Sequence, residues 1–112
     1  MKKINFKLIK NKENIIDEKN INSIIKDNRV SFIINGIKYT FYNNIFIKET
    51  KEEIIELNFN KELCKITLKE YNNSINLKLD VINIINNNKI AKVEYKIETE
   101  NNVINIINIE YV

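Results

Sequence analysis

The stretch VSFIINGIKYTFY, residues 30–42, contains the strongest local fold signal in the chain. β-branched and aromatic residues dominate on both sides of Asn35 and Gly36. An Asn-Gly pair suits a type I′ hairpin turn, because both central residues of that turn need positive φ. The chain has one glycine, and it stands where the lack of a Cβ is most useful. The stretch therefore predicts two antiparallel strands joined by a two-residue turn.

The same alternation of short apolar runs and polar corners extends in both directions. Polar clusters mark the other predicted turns: Asp27-Asn28, Asn43-Asn44, residues 49–53, residues 60–62, Asn72-Asn73, residues 86–88 and residues 100–102. Between them, apolar residues recur with a period of two, which is typical of half-buried strands. We predict an all-β fold in which about eight short strands form an antiparallel meander, closing into a small barrel or a sandwich.

Residues 13–27 allow two interpretations. Ile21, Ile24 and Ile25 have the i, i+3, i+4 spacing of a short helix. An isolated helix of this length is not stable without packing, and the surrounding pattern is β. We favour a strand, and the helix stays the alternative.

The stretch LKEYNNSINLKLDVINI, residues 68–84, predicts a hairpin with Asn72 and Asn73 at its tip. The apolar residues of its second strand change from one face to the other. Ile75, Leu77, Leu79 and Val81 share one face, and Ile82 and Ile84 lie on the opposite face. Such a slip turns every later side chain over unless a bulge absorbs it. We therefore predict a bulge or sharp bend near Val81 and Ile82.

Length and composition indicate one soluble domain over residues 1–112, with 44% hydrophobic and 29% charged residues. The first residues, MKKINFKLIK, lack the unbroken apolar region of a signal peptide, and no apolar run approaches the roughly 20 residues of a membrane-spanning helix. A single cysteine, Cys64, excludes an internal disulfide and agrees with a cytoplasmic protein. We expect a cytoplasmic location and no membrane partner.

The residue types needed for common catalytic and metal sites are mostly missing. The chain has no histidine and one cysteine, which excludes His-dependent nucleophilic catalysis and the usual zinc ligand sets. Carboxylates cluster in predicted turns, at Glu49, Glu52 and Glu53, where solvated charges are expected. We predict a protein that is not an enzyme and has no catalytic residue, metal or cofactor.

Two segments carry a resemblance to a known family: INSIIKDNRVSFII, residues 21–34, and the last part of the chain, residues 64–112. They contain a strand pair around a KDNRV turn, a VEYKIE strand with Tyr95 and a closing strand that ends at Tyr111. In this pattern the chain resembles the YwiB-like family of bacterial proteins, although it is shorter than is usual there and lacks the glycines expected in the middle. The resemblance implies a calycin-like (lipocalin-like) barrel and carries over no catalytic residue.

Three kinds of binding site are considered. The leading hypothesis is a small apolar ligand inside the barrel or at its mouth, against the inward residues Ile66, Leu68, Leu77, Leu79, Val93 and Tyr95. A barrel filled by its own large side chains is expected for most of its length. The second hypothesis is single-stranded nucleic acid on a lysine face, made of Lys61, Lys65, Lys69 and Lys78 with Tyr71. We expect no such binding, since the net charge is only +3 and carboxylates dilute the face.

The third hypothesis is a protein-interaction module or a homodimeric scaffold. The last strand, NNVINIINIEYV at residues 101–112, has isoleucines on both faces, and VINII at residues 81–85 is similar. Two-sided apolar strands are either buried in a sandwich or covered by a partner. Homodimer formation through these strands is the alternative to ligand binding.

Overall fold

Ten β-strands follow one another along the chain in the structure, a computed structural model that describes residues 2–112. The strands are β1 (Lys2–Lys10), β2 (Glu13–Lys26), β3 (Arg29–Ile34), β4 (Ile37–Tyr42), β5 (Ile45–Glu49), β6 (Glu53–Asn58), β7 (Leu63–Leu68), β8 (Asn73–Asn86), β9 (Ile90–Ile97) and β10 (Asn105–Tyr111), with a 3₁₀ turn at Glu98–Glu100. The all-β prediction is confirmed, but about eight strands was too few. The number is higher because tight turns divide the chain into short strands, and β5 has only five residues.

Each strand pairs antiparallel with the next, and β1 also pairs with β10, so the sheet closes into a barrel. In the closing pair Phe6 lies opposite Ile109, and both side chains are buried. Closure gives every described strand a neighbour on each side, although residues 13–22 of β2 pair with β1 alone and residues 73–78 of β8 pair with β7 alone. The antiparallel meander barrel is confirmed, and the sandwich is excluded.

Two-residue turns connect the first five strands. Both central residues have positive φ in each of them: Asn11-Lys12, Asp27-Asn28, Asn35-Gly36 and Asn43-Asn44. This is the requirement of type I′ turns, and asparagine meets it with less strain than most residues that have a Cβ. The predicted turn at Asn72 and Asn73 is different. Residues 69–72 form the loop, and Asn73 already pairs with Leu68 as the first residue of β8.

Residues 13–26 are a strand, which confirms the favoured interpretation of this segment. β2 has a partner on each side: Ile21 lies opposite Ile4 of β1, and Ile25 lies opposite Val30 of β3. Hydrogen bonding to two neighbours outweighs the helical spacing of the isoleucines. The register between β1 and β2 shifts twice, and one shift includes Asn20, whose φ is 57°.

The predicted bulge in β8 is confirmed. Val81 lies opposite Tyr95 and Asn83 lies opposite Glu94, so Ile82 is an extra residue without a partner on β9. The bulge lets Ile84 return to the side of Val93 after the phase change. β8 pairs with β7 through its first half and with β9 through its second half, as expected for staggered strands in a closed barrel.

Aromatic side chains fill much of the barrel interior. The ring of Phe6 lies 4.6 Å from that of Phe32 and 5.1 Å from that of Tyr39, measured between centroids. A second pair, Phe59 and Tyr95, has a centroid distance of 5.2 Å. Rings at these distances pack closely and leave no space for a ligand between them.

Candidate functional site

The six residues predicted to line an interior site lie on the inward face of β7, β8 and β9. Leu79, Val93 and Tyr95 are buried, and Ile66, Leu68 and Leu77 are partly buried. Burial also raises the pKa of the Tyr95 phenol far above its ordinary value. None of the six lines either of the two cavities described below. In this structure they are part of the packed wall of the barrel.

The larger cavity lies at one end of the barrel and has a volume of about 570 Å³. Alternate turns of a meander lie at the same end, so the turns β2–β3, β4–β5, β6–β7 and β8–β9 lie together with the start of β1 and the end of β10. We term this end the mouth and its cavity the mouth cavity. Its lining residues come from β1, β2, β3, β4, β8 and β10 and the adjoining turns, which only the closed barrel brings together.

The wall of the mouth cavity is apolar where it meets the core. Val30 and Phe41 line it and are almost completely buried, at 1% and 3% exposure. Ile25 and Val112 line it closer to solvent. Tyr111 also lines it, and burial raises the pKa of that phenol. An apolar molecule could therefore exchange contact with water for contact with these side chains.

The outer part of the cavity is lined by asparagines: Asn28, Asn43, Asn86, Asn87 and Asn88. Hydrogen bonds link the turns that carry them. The Asn86 side chain donates to Oδ1 of Asn44 at 3.1 Å, and Nδ2 of Asn60 donates to the carbonyl of Asn43 at 2.7 Å. These bonds join three turns of the mouth. They make a polar rim around an apolar wall.

Basic residues also line the mouth cavity. Lys2 and Lys3 line the cavity, and no acidic side chain does. The guanidinium of Arg29 lies 4.0 Å from the ring centre of Tyr42, another lining residue. Sequence reasoning did not identify these lining residues, because the asparagine clusters were interpreted only as turns. The order of the predicted turns could have indicated this site, because alternate turns of a meander lie at the same end of the sheet.

The predicted lysine face is not assembled. Lys65 and Lys78 lie near each other on the outside of β7 and β8, but Lys65 is opposite Glu56 of β6. Nζ of Lys69 lies 2.8 Å from a carboxylate oxygen of Glu49, at the end of the barrel opposite the mouth. Lys61 belongs to a mouth turn, whereas Tyr71 is exposed in the loop before β8. These five residues do not share one groove.

A second, smaller cavity of about 80 Å³ lies on the outside of β1, β2 and β10. It is lined by Asn5, Phe6, Lys7, Asp17, Lys19, Asn108 and Glu110. Nδ2 of Asn5 donates to Glu110 at 3.1 Å, and Oδ1 of Asn108 is buried without a hydrogen-bond partner in the described structure. The volume is too small for most metabolites.

Chemically reactive groups are sparse in the part of the chain that the structure describes. Residues 2–112 contain no group of three or more His, Cys, Asp or Glu side chains that could hold a metal ion. Cys64 is buried inside the barrel, and burial raises the pKa of its thiol. Within the same residues, no helix has the length and apolar character needed to cross a bilayer.

Comparison with known proteins found no family model, no curated protein and no solved structure that matches this chain. The resemblance to the YwiB-like family, and with it the calycin-like description of the barrel, therefore stays a prediction.

Proposed function

We propose that this protein binds a small molecule with an apolar body in the mouth cavity and does not transform it. The observation that carries the proposal is the cavity itself, about 570 Å³ in volume with a buried apolar wall at Val30 and Phe41. This volume falls in the range of roughly 300 to 1,000 Å³ that ligand pockets usually have. The inner wall of the cavity is apolar, as in most ligand pockets, whereas two lysines and five asparagines make its outer part more polar than is usual.

The packing of the interior favours the mouth over the predicted internal site. The rings of Phe6, Phe32 and Tyr39 occupy the space that an internal ligand would need. Enlarging that space would remove close contacts between buried side chains, at a cost that binding would have to exceed. The proposed site is therefore the opening of the barrel. None of the six predicted residues lines it: Ile66, Leu68, Leu77, Leu79, Val93 and Tyr95.

A binding role without catalysis is supported by the lining. Lys2, Lys3, Tyr42 and Tyr111 are the lining side chains that can titrate. None is paired with a second group in the way that a general base or nucleophile is activated. A cytoplasmic location belongs to the same proposal, since a free thiol such as that of Cys64 is typical of reducing compartments.

Two neighbouring isoleucines allow a matched test. Ile25 lines the cavity, whereas Ile24 points to the outside of the barrel and is 66% exposed. The neutral dye N-phenyl-1-naphthylamine, which fluoresces in apolar surroundings, should bind the wild-type protein saturably. Ile25→Trp should weaken this binding by about tenfold or more, because the indole occupies the cavity. Ile24→Trp should bind like the wild type.

Circular dichroism of both variants controls for folding. No saturable binding by the folded wild type would contradict the proposal, and so would equal binding by the two variants. If Ile25→Trp does not fold, Val112→Trp replaces it, because Val112 also lines the cavity and is 70% exposed.

Homodimer formation is the second candidate function. Residues 13–22 of β2 pair with β1 alone, so a second copy could pair with this edge or pack against an outer face of the barrel. Ile24 of β2 and Ile33 of β3 are more than half exposed on adjacent strands, and Ile82 and Ile104 are exposed on the two predicted strands. Sedimentation equilibrium of the wild type and of Ile24→Lys with Ile33→Lys tests this candidate. A monomeric wild type over the micromolar range contradicts it.

A further inference from the structure

We infer that the ligand of the mouth cavity carries an anionic group, and that Lys2 and Lys3 bind it. This inference rests on the proposed function, since it names the chemical class of molecule that the same cavity would take. It follows from the backbone that positions the two lysines, from the charges around the mouth and from the hydrogen-bonding groups on the rim.

Both lysines are held at the cavity wall by their backbones. Hydroxyl Oγ of Ser23 donates to the carbonyl of Lys2 at 2.9 Å, and Ser23 is buried. The backbone N–H of Val112 donates to the carbonyl of Lys3 at 3.2 Å. The start of β1 is therefore fixed between β2 and the end of the chain. Lys2 lies on the inward face of β1 with Ile4 and Phe6, whereas the alternation of the strand places Lys3 on its outer face, at the edge of the cavity.

Neither lysine side chain forms an ion pair among the described residues. The ion pairs among the described residues are Lys10 with Glu100, Lys69 with Glu49 and Lys92 with Glu94, and none of them includes Lys2 or Lys3. No acidic side chain lines the cavity. An anionic ligand would supply the missing charge, and a charged hydrogen bond beside an apolar wall is stronger than one in open solvent.

The turns of the two barrel ends differ in charge. Lys26, Arg29, Lys61 and Lys89 lie in or beside the mouth turns, with Asp27 and Glu62 as acidic neighbours. In and beside the turns of the opposite end, acidic residues outnumber basic ones: these turns contain Glu13, Glu49, Glu52, Glu53, Glu70, Glu98 and Glu100, together with Lys10, Lys12, Lys51 and Lys69. Such a separation attracts a small anion toward the mouth, more strongly at low ionic strength.

The asparagines of the rim also offer hydrogen-bond donors to an anion. Oδ1 of Asn87 already accepts hydrogen bonds from the backbone N–H groups of Lys89 and Ile90, at 2.8 and 3.0 Å. Its remaining side-chain group is the amide NH₂, which can only donate. Because Asn87 lines the cavity, this donor is available to an oxygen of a carboxylate, sulfonate or phosphate.

Two dyes with the same aromatic skeleton test the inference. 8-Anilino-1-naphthalenesulfonate carries a sulfonate, and N-phenyl-1-naphthylamine is the matching molecule without it. The sulfonate dye should bind the full chain about tenfold more tightly at low salt, and added salt should reduce this difference. Lys2→Gln with Lys3→Gln should remove the preference and leave the affinity for the neutral dye unchanged. Lys12→Gln with Lys51→Gln, at turns of the opposite end, is the control that should keep it.

The outcomes separate the inference from the proposed function. Equal affinity for the two dyes, or a preference that survives in the Lys2 and Lys3 variant, overturns the anionic ligand while the binding cavity stands. Binding of neither dye overturns the proposed function and this inference with it. If the glutamine pair does not fold, the single Lys2→Gln variant is used, because Lys2 lies on the inward face of β1, and it should reduce the preference in part.

Discussion

The side-chain amide of Asn86 donates a hydrogen bond to Oδ1 of Asn44, 3.1 Å away in space and 42 positions away in the sequence. Asn86 ends β8, and Asn44 is the second residue of the β4–β5 turn. The bond joins two turns on the rim of the mouth. Asn44 therefore has two roles: its positive φ suits the turn, and its side chain links this turn to the end of β8.

The hydrogen bond between Asn86 and Asn44, termed the rim bond, should be lost in Asn44→Gly, and we predict a loss of stability in this variant. Glycine accepts the positive φ of this position, 58°, so the change removes the side chain without straining the turn. We expect a net loss of about 0.5 to 1 kcal/mol relative to the same change at Asn28, which has φ 64° at the equivalent turn position. Urea unfolding of the two variants measures the difference. Equal stability would show that the rim bond contributes nothing.

Gly36→Val tests the hairpin turn that identified the fold. No atom lies within 4 Å of where a Cβ would be, so the cost comes from the φ of 78° and not from a clash. We expect a loss of about 1 kcal/mol or more, because a β-branched residue is strained at positive φ. Gly36→Asn should lose less, since asparagine tolerates this region. Thermal unfolding that ranks Val and Asn equally would be evidence against a conformational cause.

Leu79→Trp tests whether the interior is filled. Leu79 is 5% exposed, and a larger side chain there has no free volume to enter. We expect a loss of roughly 1 to 3 kcal/mol in the free energy of unfolding, measured with denaturant. Ile82→Trp is the control, because Ile82 is the extra residue of the bulge and is exposed. A Leu79→Trp protein as stable as the wild type would indicate an internal cavity.

The ion pair between Glu49 and Lys69 predicts a pH dependence. The hydrogen bond and charge of Lys69 hold the pKa of the Glu49 carboxyl below its ordinary value. A lowered folded-state pKa adds stability above the ordinary pKa of glutamate, and this contribution disappears as the pH falls through the folded-state pKa. The melting temperature of the wild type should therefore exceed that of Glu49→Gln at about pH 7, and the gap should narrow at about pH 3.

Glu52→Gln is the control for the pH experiment, because Glu52 forms no ion pair among the described residues. A gap between wild type and Glu49→Gln that widens on acidification would have the wrong sign for this ion pair. The effect should be small, since both partners are exposed to solvent.

A labelled single-stranded oligonucleotide should not bind at physiological salt. Lys69 is held by Glu49, Lys65 faces Glu56 and Lys61 lies at the mouth, so no continuous basic groove follows the barrel. Fluorescence anisotropy measures the binding. Micromolar affinity that falls steeply with salt, and that is lost in Lys65→Glu with Lys69→Glu, would contradict this expectation.

Much of the fold could be predicted from local sequence. The turns at Asp27 and Asn28 and at Asn35 and Gly36 were predicted because few residues accept positive φ. The bulge at Ile82 was predicted because a change of phase within a strand needs an extra residue. The helical spacing of Ile21 and Ile24 was a weaker signal, because partner strands on both sides of β2 stabilise the extended form.

The mouth of the barrel was one of two predicted locations for a ligand, but the residues that line the candidate site were not predicted. The inward faces of β7, β8 and β9 were identified correctly, but alternation does not show how much space lies between facing strands. That space depends on which large side chains meet, and Phe6 meets Phe32 and Tyr39 only in the folded barrel.

The sequence by itself determined the strands, most of the turns and the inward faces, because these depend on φ preferences and on a period of two within a few residues. Only the tertiary structure decided that the sheet closes between β1 and β10 and that a cavity remains at the mouth. Lys2, Asn43 and Asn86 lie far apart in the chain and line one cavity because alternate turns share an end of a closed barrel. Local conformational preferences do not act over such distances, whereas barrel closure does.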